Sequence, residues 1–593
     1  MSFLQFNYLG LITDIQASFP ELLLCGGIVL MLFLRVFKPF KGLHMGALAL
    51  VVTLFALAYS VLQWLNLPEL GGLILSPSDV GVRSGEFVPR FGGLLIFDNF
   101  TVFMRLFLYS FTALIIWLTL ITGIPDRDDS PDFHCLLLGA ALGMSIMAQS
   151  NHLLMVFIAI EMASLPSFAL AGFLKGRRQS SEAALKYVVY GGGASGVMLY
   201  GISLLAGKFG TAYLPDLAVG IVANTDPAHG TVFDPIVILG ILLIFVGIAF
   251  KVSAVPFHFW CPDVFEGASA EVAGFLSVAS KGAALALLVR ILMTFGGLES
   301  LVGVVGLAKP NWVGVVNFLI PTIAFFAAVT ATFGNLAALQ QTNLKRLLAY
   351  STIAHAGYMM MGLATLNPDG VAAVLVYLVA YLFMNLGAFA VVAFIRNQIN
   401  SEELDSYRGL VRRSPWMVLA LSVFLLSLLG LPPLIGFPAK YLIFSTLWKT
   451  GIAYRDTGNL GLAVTLIGLF VIGGVNTVIS AVYYLKVMRV MIIESRVEDI
   501  EGREPVRLRE PVGAVIFSGL IALVVLVGIA GFQWVDQASL AGVQRYAERQ
   551  ELNRHPGARN PPSPGGGQAP VPVGPARPGP AAGGAVQLAP EGP

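Results

Sequence analysis

Three lysines of this chain stand inside long apolar runs: Lys251 in IAFKVSAVPFHFW, Lys281 in LSVASKGAALALL and Lys440 in PPLIGFPAKYLIF. A lysine at the centre of a membrane-spanning helix costs about 2.5–3.5 kcal/mol on insertion scales. A chain that accepts this cost three times is expected to use the charges, most often in an ion or proton path. Other titratable groups share these apolar surroundings. Glu161 lies in FIAIEMASLPSF, and a lone buried carboxylate must neutralise itself or find a cation. It is read either as a structural hydrogen-bonding group or as the charge that tunes Lys251. Lys186, in SSEAALKYVVYGGGASG, follows Glu182 by four residues, so an ordinary helix-end ion pair stands beside a proton-transfer role. His258 follows Lys251 by seven residues, two turns on, which puts both on one face of an undistorted helix. A desolvated lysine can release its proton and histidine titrates near neutrality, so the two are candidate relay stations. The alternatives are a static Lys251–Glu161 pair and a satisfied core histidine. Lys281 and Lys440 have no acid nearby in sequence, and static packing is the alternative for both. His355, with Ser351 one turn before it in LAYSTIAHAGYMMMG, is either a link in a water chain or a core histidine.

These residues need elements that hold charges at membrane depth. The chain has 593 residues, 56% hydrophobic and 12% charged, against about 25% charged in soluble domains. Apolar runs of the length a span requires, about 20 residues, recur from about residue 17 to residue 533. In lipid only helices or closed barrels satisfy the backbone, and runs this continuous do not alternate as barrel strands do. The reading is an all-α polytopic membrane protein with about 14 transmembrane helices. An N-terminal three-helix segment (1–131) is followed by two units (132–295 and 311–488), a final span (511–533) and a Pro/Gly/Ala-rich tail (537–593) expected to be disordered. The N-terminal run follows an uncharged MSFLQFNYLG without a cleavage pattern and is read as a retained span.

Two spans are expected to be broken. Pro256 interrupts the seventh, and Pro432, Pro433, Gly436 and Pro438 interrupt the twelfth. Lys251 precedes its break and Lys440 follows its own, a mirrored order expected of inverted repeats with polar sites at the discontinuities. With the N-terminus outside, the inner loops carry nineteen Lys and Arg residues and the outer loops six, which fits the positive-inside rule with both termini outside.

The remaining features are less specific. The net charge of +2 says nothing about nucleic acid, and Cys25, Cys135 and Cys261 lack metal or disulfide spacing and read as small buried hydrophobes. Arg105 and Arg290 snorkel or pair, Glu21 marks an interface near a span start, and Gly191, Gly192 and Gly193 form a helix-packing surface. There is no dinucleotide fingerprint, phosphate loop, haem ligand pair or iron–sulfur cysteine set. No cofactor or metal site is expected in this chain.

Four strings together resemble one family: GIAFKVSAVPFHFWCPDVFEGA (247–268), SSEAALKYVVYGGGASG (180–196), FGNLAALQQTNLKRLLAYSTIAHAGY (333–358) and LSLLGLPPLIGFPAKYLIF (426–444). They resemble subunit N of proton-translocating NADH–quinone oxidoreductase, respiratory complex I, over residues 17 to about 533. PFHFWCPDVFEGA and the lysine after the second break resemble subunit N more than subunits M and L or the sodium–proton antiporters. The resemblance implies 14 helices with two inverted five-helix repeats and broken seventh and twelfth helices. It implies a membrane subunit that couples quinone reduction elsewhere to proton pumping. FMN, iron–sulfur clusters and quinone would lie in partner subunits, and the partners would be the other membrane and peripheral subunits of the complex. The place would be a bacterial inner membrane with both termini periplasmic. By motif, Glu161, Lys186, Lys251, His258, Lys281 and Lys440 match the family's proton-transfer residues. The path implied starts near Lys186 and Lys251, crosses through Lys281 and water, and reaches Lys440. A stand-alone cation–proton antiporter and a non-translocating structural subunit are the alternatives. The extended 67–97 loop and the tail after about 537 depart from the family pattern.

Overall fold

The computed structural model describes residues 11–37, 43–65, 89–126, 129–223, 234–296, 309–496, 502, 508 and 510–554. The 67–88 part of the extended loop, the tail beyond 554 and several basic residues of the charge tally, Lys38, Lys41 and Arg127 among them, lie outside the described residues.

Helix α1 (Phe19–Val36) packs on α2 (Met45–Leu65), and a two-stranded antiparallel hairpin, β1 (Pro89–Arg90) with β2 (Leu95–Ile96), leads into α3 (Asn99–Thr122). Then come α4 (Ser130–Gln149), α5 (Leu153–Ala171), α6 (Arg178–Phe209) and a short helix α7 (Leu214–Ala223). Helix α7 is too short to span and joins α6 to the broken seventh span. The expected seventh span is α8 (Pro235–Val252), an irregular stretch, and α9 (Trp260–Gly267). The eighth is α10 (Ala270–Phe275), a π-helical turn over Leu276–Ser280, and α11 (Lys281–Gly296). The chain continues as α12 (Lys309–Ala338), α13 (Leu344–Leu363) and α14 (Pro368–Ile399). The expected twelfth span is α15 (Pro415–Leu429), a break, and α16 (Gly436–Asp456), followed by α17 (Leu460–Ile492), α18 (Val512–Val527) and α19 (Phe532–Arg554).

Local chemistry sets these boundaries. Asp98, Asp234, Ser269, Asn343, Asn367 and Asn459 cap the starts of α3, α8, α10, α13, α14 and α17, each side chain accepting from a backbone N–H of the first turn. Left-handed glycines, Gly123, Gly210 and Gly430, end α3, α6 and α15. Among the described residues eleven helices are long and apolar enough to cross a membrane, or twelve when the bent pair α18–α19 counts as one. Helix α13 and the broken α15–α16 pair are not among them. Helix α13 carries Lys345, Arg346, Ser351, Thr352 and His355 yet is buried almost throughout, so its neighbours rather than lipid are its solvent.

Two expectations are corrected at the C-terminal end. The last span is bent by 82° between α18 and α19. The stretch 537–554, expected as disordered tail, is helical as part of α19. The physical reason is composition: residues 537–554 are rich in Ala, Gln, Glu and Arg, all good helix formers, and the Pro/Gly-rich run starts only at Pro556. Helix α19 packs against α14 and α3.

Candidate functional site

The first break follows from where α8 ends. Ser253 takes a left-handed conformation (φ 64°), and Pro256 cannot continue a helix. Lys251, fully buried, sits in the last turn of α8, where the negative end of the helix dipole favours a cation. Its Nζ donates to Ser164 Oγ of α5 at 3.0 Å. That hydroxyl is already committed as donor to the Ile160 carbonyl at 2.6 Å, so it can only accept from Lys251. Glu161, one turn before Ser164, acts electrostatically on Lys251 but forms no ion pair with it. It accepts a hydrogen bond from Ser195 of α6 instead and is half-buried, not fully enclosed. The static Lys251–Glu161 pair is therefore not the observed arrangement. Because α8 stops at Val252, Lys251 and His258 do not share a helical face either. His258 lies in the break, buried against Phe259 and Phe333, with the Pro256 backbone nearby, and neither ring nitrogen has a hydrogen-bond partner of standard geometry among the described residues. The charge acting on it is that of Lys281.

Lys281 is the first residue after the π-helical turn, a distortion frequent at functional sites. Residues 267–290 are buried without interruption. Lys281 Nζ contacts Cys261 Sγ of α9 at 3.7 Å and stands 5.8 Å from the centroid of the Phe265 ring. The sequence reading treated the three cysteines alike; the structure separates Cys261 from the others.

At the second break Gly430 (φ 89°) ends α15. Lys440, in the first turns of α16, reaches back so that its Nζ donates to the carbonyls of Leu428 and Leu429, both at 2.9 Å. These belong to the last turn of α15, whose carbonyls have no intrahelical partner. A Cβ on Gly430 would come within 2.9 Å of Lys440 Cδ, so the glycine supplies both the backbone angle and the room. Lys440 Nζ also stands 4.9 Å from the centroid of the Tyr358 ring.

His355 lies between the last two lysines electrostatically, with the charges of both Lys281 and Lys440 acting on it. Its Nδ1 meets the Tyr377 hydroxyl at 2.6 Å and its Nε2 the Tyr484 hydroxyl at 3.1 Å. Tyr484 in turn meets Ser351 Oγ at 2.5 Å. Ser351 and His355, expected on one face, are thus joined through a third residue from α17. A neutral imidazole has one donor and one acceptor nitrogen, so the hydrogen bonds through His355 run in one direction at a time. Tyr377 and Tyr484 were missed in the sequence. Their only signal was a hydroxyl inside an apolar helix.

Lys186 is more exposed than the other candidates, with 38% of its side-chain surface accessible. It pairs with Glu182 at 2.8 Å and with Asp263 of α9 at 2.7 Å. Arg346 of α13 pairs with Asp263 and Glu266, both at 2.7 Å. The helix-end pair is therefore present, but within a network that ties α9 to α6 and α13. Nearby, Lys345 pairs with Glu402 at 2.9 Å and donates to the Ala268 carbonyl at 2.7 Å. Asp263, Glu266, Arg346 and Glu402 were not singled out in the sequence because charges near span ends read as ordinary.

The N-terminal segment holds two further buried networks. Glu21, expected at an interface, is buried and accepts from Arg105 Nε at 2.8 Å, Tyr109 at 3.1 Å, Ser145 at 2.6 Å and Gln149 at 2.7 Å. The correction has a simple cause: α1 turns that face onto α4, which supplies Ser145 and Gln149. Arg290 forks onto Asp98 at 2.5 and 2.6 Å and reaches the Ala148 carbonyl at 2.7 Å. Both arginines pair rather than snorkel.

A family model described as NADH:quinone oxidoreductase/Mrp antiporter, transmembrane, matches residues 150–455, which contain every residue of the lysine row. The chain is 39% identical over 508 residues to NADH-quinone oxidoreductase subunit N of Anaeromyxobacter sp. (strain Fw109-5), covering 83% of this chain and 93% of that protein. This chain belongs to the subunit N family of NADH-quinone oxidoreductases. A chain of respiratory complex I from Thermus thermophilus with bound aureothin superposes with a TM-score of 0.61 at 29% identity, covering 87% of this chain and 98% of that one. A chain of the Mrp complex from Dietzia sp. DQ12-45-1b, at 18% identity and a TM-score of 0.68, covers 91% of this chain and 98% of that one and shares the fold. The fold is thus shared with a chain of respiratory complex I and with a chain of an Mrp complex.

Proposed function

We propose that this chain is a proton-translocating membrane subunit of NADH-quinone oxidoreductase, moving protons along Lys251, Lys281 and Lys440. The observation that carries the reading is that all three lysines are buried and that none forms an ion pair among the described residues. A permanent buried charge without a counter-ion is costly, whereas a lysine that exchanges its proton bears that cost only part of the time. Lys186 and its acidic neighbours supply the hydrophilic start of the path, His258 and His355 feel the charge of Lys281, and Lys440 is the last station. Glu161 is the tuning charge: near Lys251 and ionised it holds the proton there, and with the two separated the proton moves on.

The reading extends to the whole assembly. Ten of fourteen spans form two inverted five-helix repeats, 132–295 and 311–488, in a bacterial inner membrane with both termini in the periplasm. The chain has no redox centre; FMN, iron–sulfur clusters and the quinone site belong to the partner subunits with which it assembles. The test is Lys251→Ala in the assembled complex reconstituted into vesicles. Proton pumping per electron is expected to be abolished or strongly reduced with electron transfer still measurable. Normal pumping per electron would exclude the relay. Co-purification of peripheral subunits that oxidise NADH with the tagged chain separates this role from that of a free-standing antiporter.

A further inference from the structure

The geometry points to Cys261 as a positioning residue for Lys281, one that keeps the lysine partnered in both of its protonation states; this rests on the relay proposed above. Cys261 is fully buried and its Sγ is the side-chain polar atom in hydrogen-bonding contact with Lys281 Nζ, at 3.7 Å. A second hydrogen-bonding side chain beside the thiol is Ser253, the buried left-handed residue at the end of α8, whose hydroxyl has no partner of standard geometry; the buried tyrosines Tyr187 and Tyr381 also lie within its electrostatic reach. Cys261 therefore bridges the break that carries Lys251 and the helix that begins with Lys281.

The chemistry of the three lysines differs in a way that selects this one. Lys440 faces two backbone carbonyls, which only accept, so they stabilise the ammonium and offer no donor to the lone pair of a neutral amine. Lys251 faces a hydroxyl whose single proton already goes to the Ile160 carbonyl. Cys261 can do both. Its sulfur is a weak acceptor for an ammonium N–H, and its S–H is a weak donor to the lone pair of an amine. The ordinary acidity of a thiol also lies within about two pKa units of a lysine ammonium, whereas a carboxylate is about six units away. A thiol thus steadies Lys281 without trapping its proton, as suits a middle station.

Three variants of the assembled complex test this, with proton pumping per electron normalised to assembled complex. Cys261→Ser keeps a group that both accepts and donates, and pumping is expected to stay near the parent level. Cys261→Val keeps an apolar side chain of similar bulk, and pumping is expected to fall to the level of Lys281→Ala, measured in parallel. Cys261→Ala serves the same purpose if the valine variant does not assemble. Equal losses in the serine and valine variants would reduce Cys261 to a packing residue and overturn the inference. So would normal pumping in the valine and alanine variants while Lys281→Ala fails, which would leave the relay standing. Normal pumping in Lys281→Ala would overturn the relay itself and this inference with it.

Discussion

In α8–α9 the lysine comes just before the break, in the last turn of the first half-helix; in α15–α16 it comes after the break, on the second half-helix. In sequence the two are mirror images. In space they share an environment, because Lys440 reaches back to the last carbonyls of α15 while Lys251 rides on the last turn of α8. Each ammonium is held at the negative end of an interrupted helix. The difference lies in the backbone. The first break is closed by Ser253 at φ 64°, a conformation that costs a non-glycine residue about 1–2 kcal/mol. The second is closed by Gly430, which adopts it freely and leaves space for the lysine stem. The first break is therefore the strained one, and the second the sterically tight one.

This comparison can be sharpened by substitution. The largest effect is expected from Tyr484→Phe, which removes the hydroxyl joining His355 to Ser351. Two buried hydrogen bonds of about 1 kcal/mol each are lost, so proton flux past His355 should fall by about thirtyfold. Pumping rates in vesicles at matched electron-transfer rates measure it, and an unchanged rate would remove His355 from the path.

Next in size is Gly430→Ala, expected to destabilise the complex by about 2 kcal/mol, from left-handed strain and the clash with Lys440 together. Thermal unfolding of the purified complex reads this. Repeating the substitution in a Lys440→Ala background should recover the part due to the clash, since the residue struck is then gone. Equal losses in both backgrounds would mean that Lys440 does not occupy the observed position.

The smallest effect has the opposite sign. Ser253→Gly should stabilise the first break by about 1 kcal/mol by relieving the left-handed backbone. A loss of stability instead would show that the Ser253 hydroxyl contributes more than its backbone costs.

Much of this was legible because burying charge is costly: a lysine in an apolar run is visible without a structure, and so is a proline that stops a helix. Lys251, Lys281, Lys440 and both breaks were read that way. Partners distant in sequence were not visible. Cys261 lies twenty residues from Lys281, and Tyr484 lies 129 residues from His355. Glu21 was misread because proximity to a span end was taken for exposure, while α4 covers it. The helix over 537–554 was misread because the Pro/Gly character of the later tail was extended too far towards the N-terminus.

The central claim is that Lys251 and Lys440 are stations in series on one path. The direct test is the number of protons pumped per electron in reconstituted vesicles for Lys251→Ala, Lys440→Ala and the double variant, each normalised to assembled complex. Stations in series predict that each single variant loses the same share of pumping and that the double variant loses no more. Losses that add in the double variant, or normal pumping in either single variant, would contradict the account.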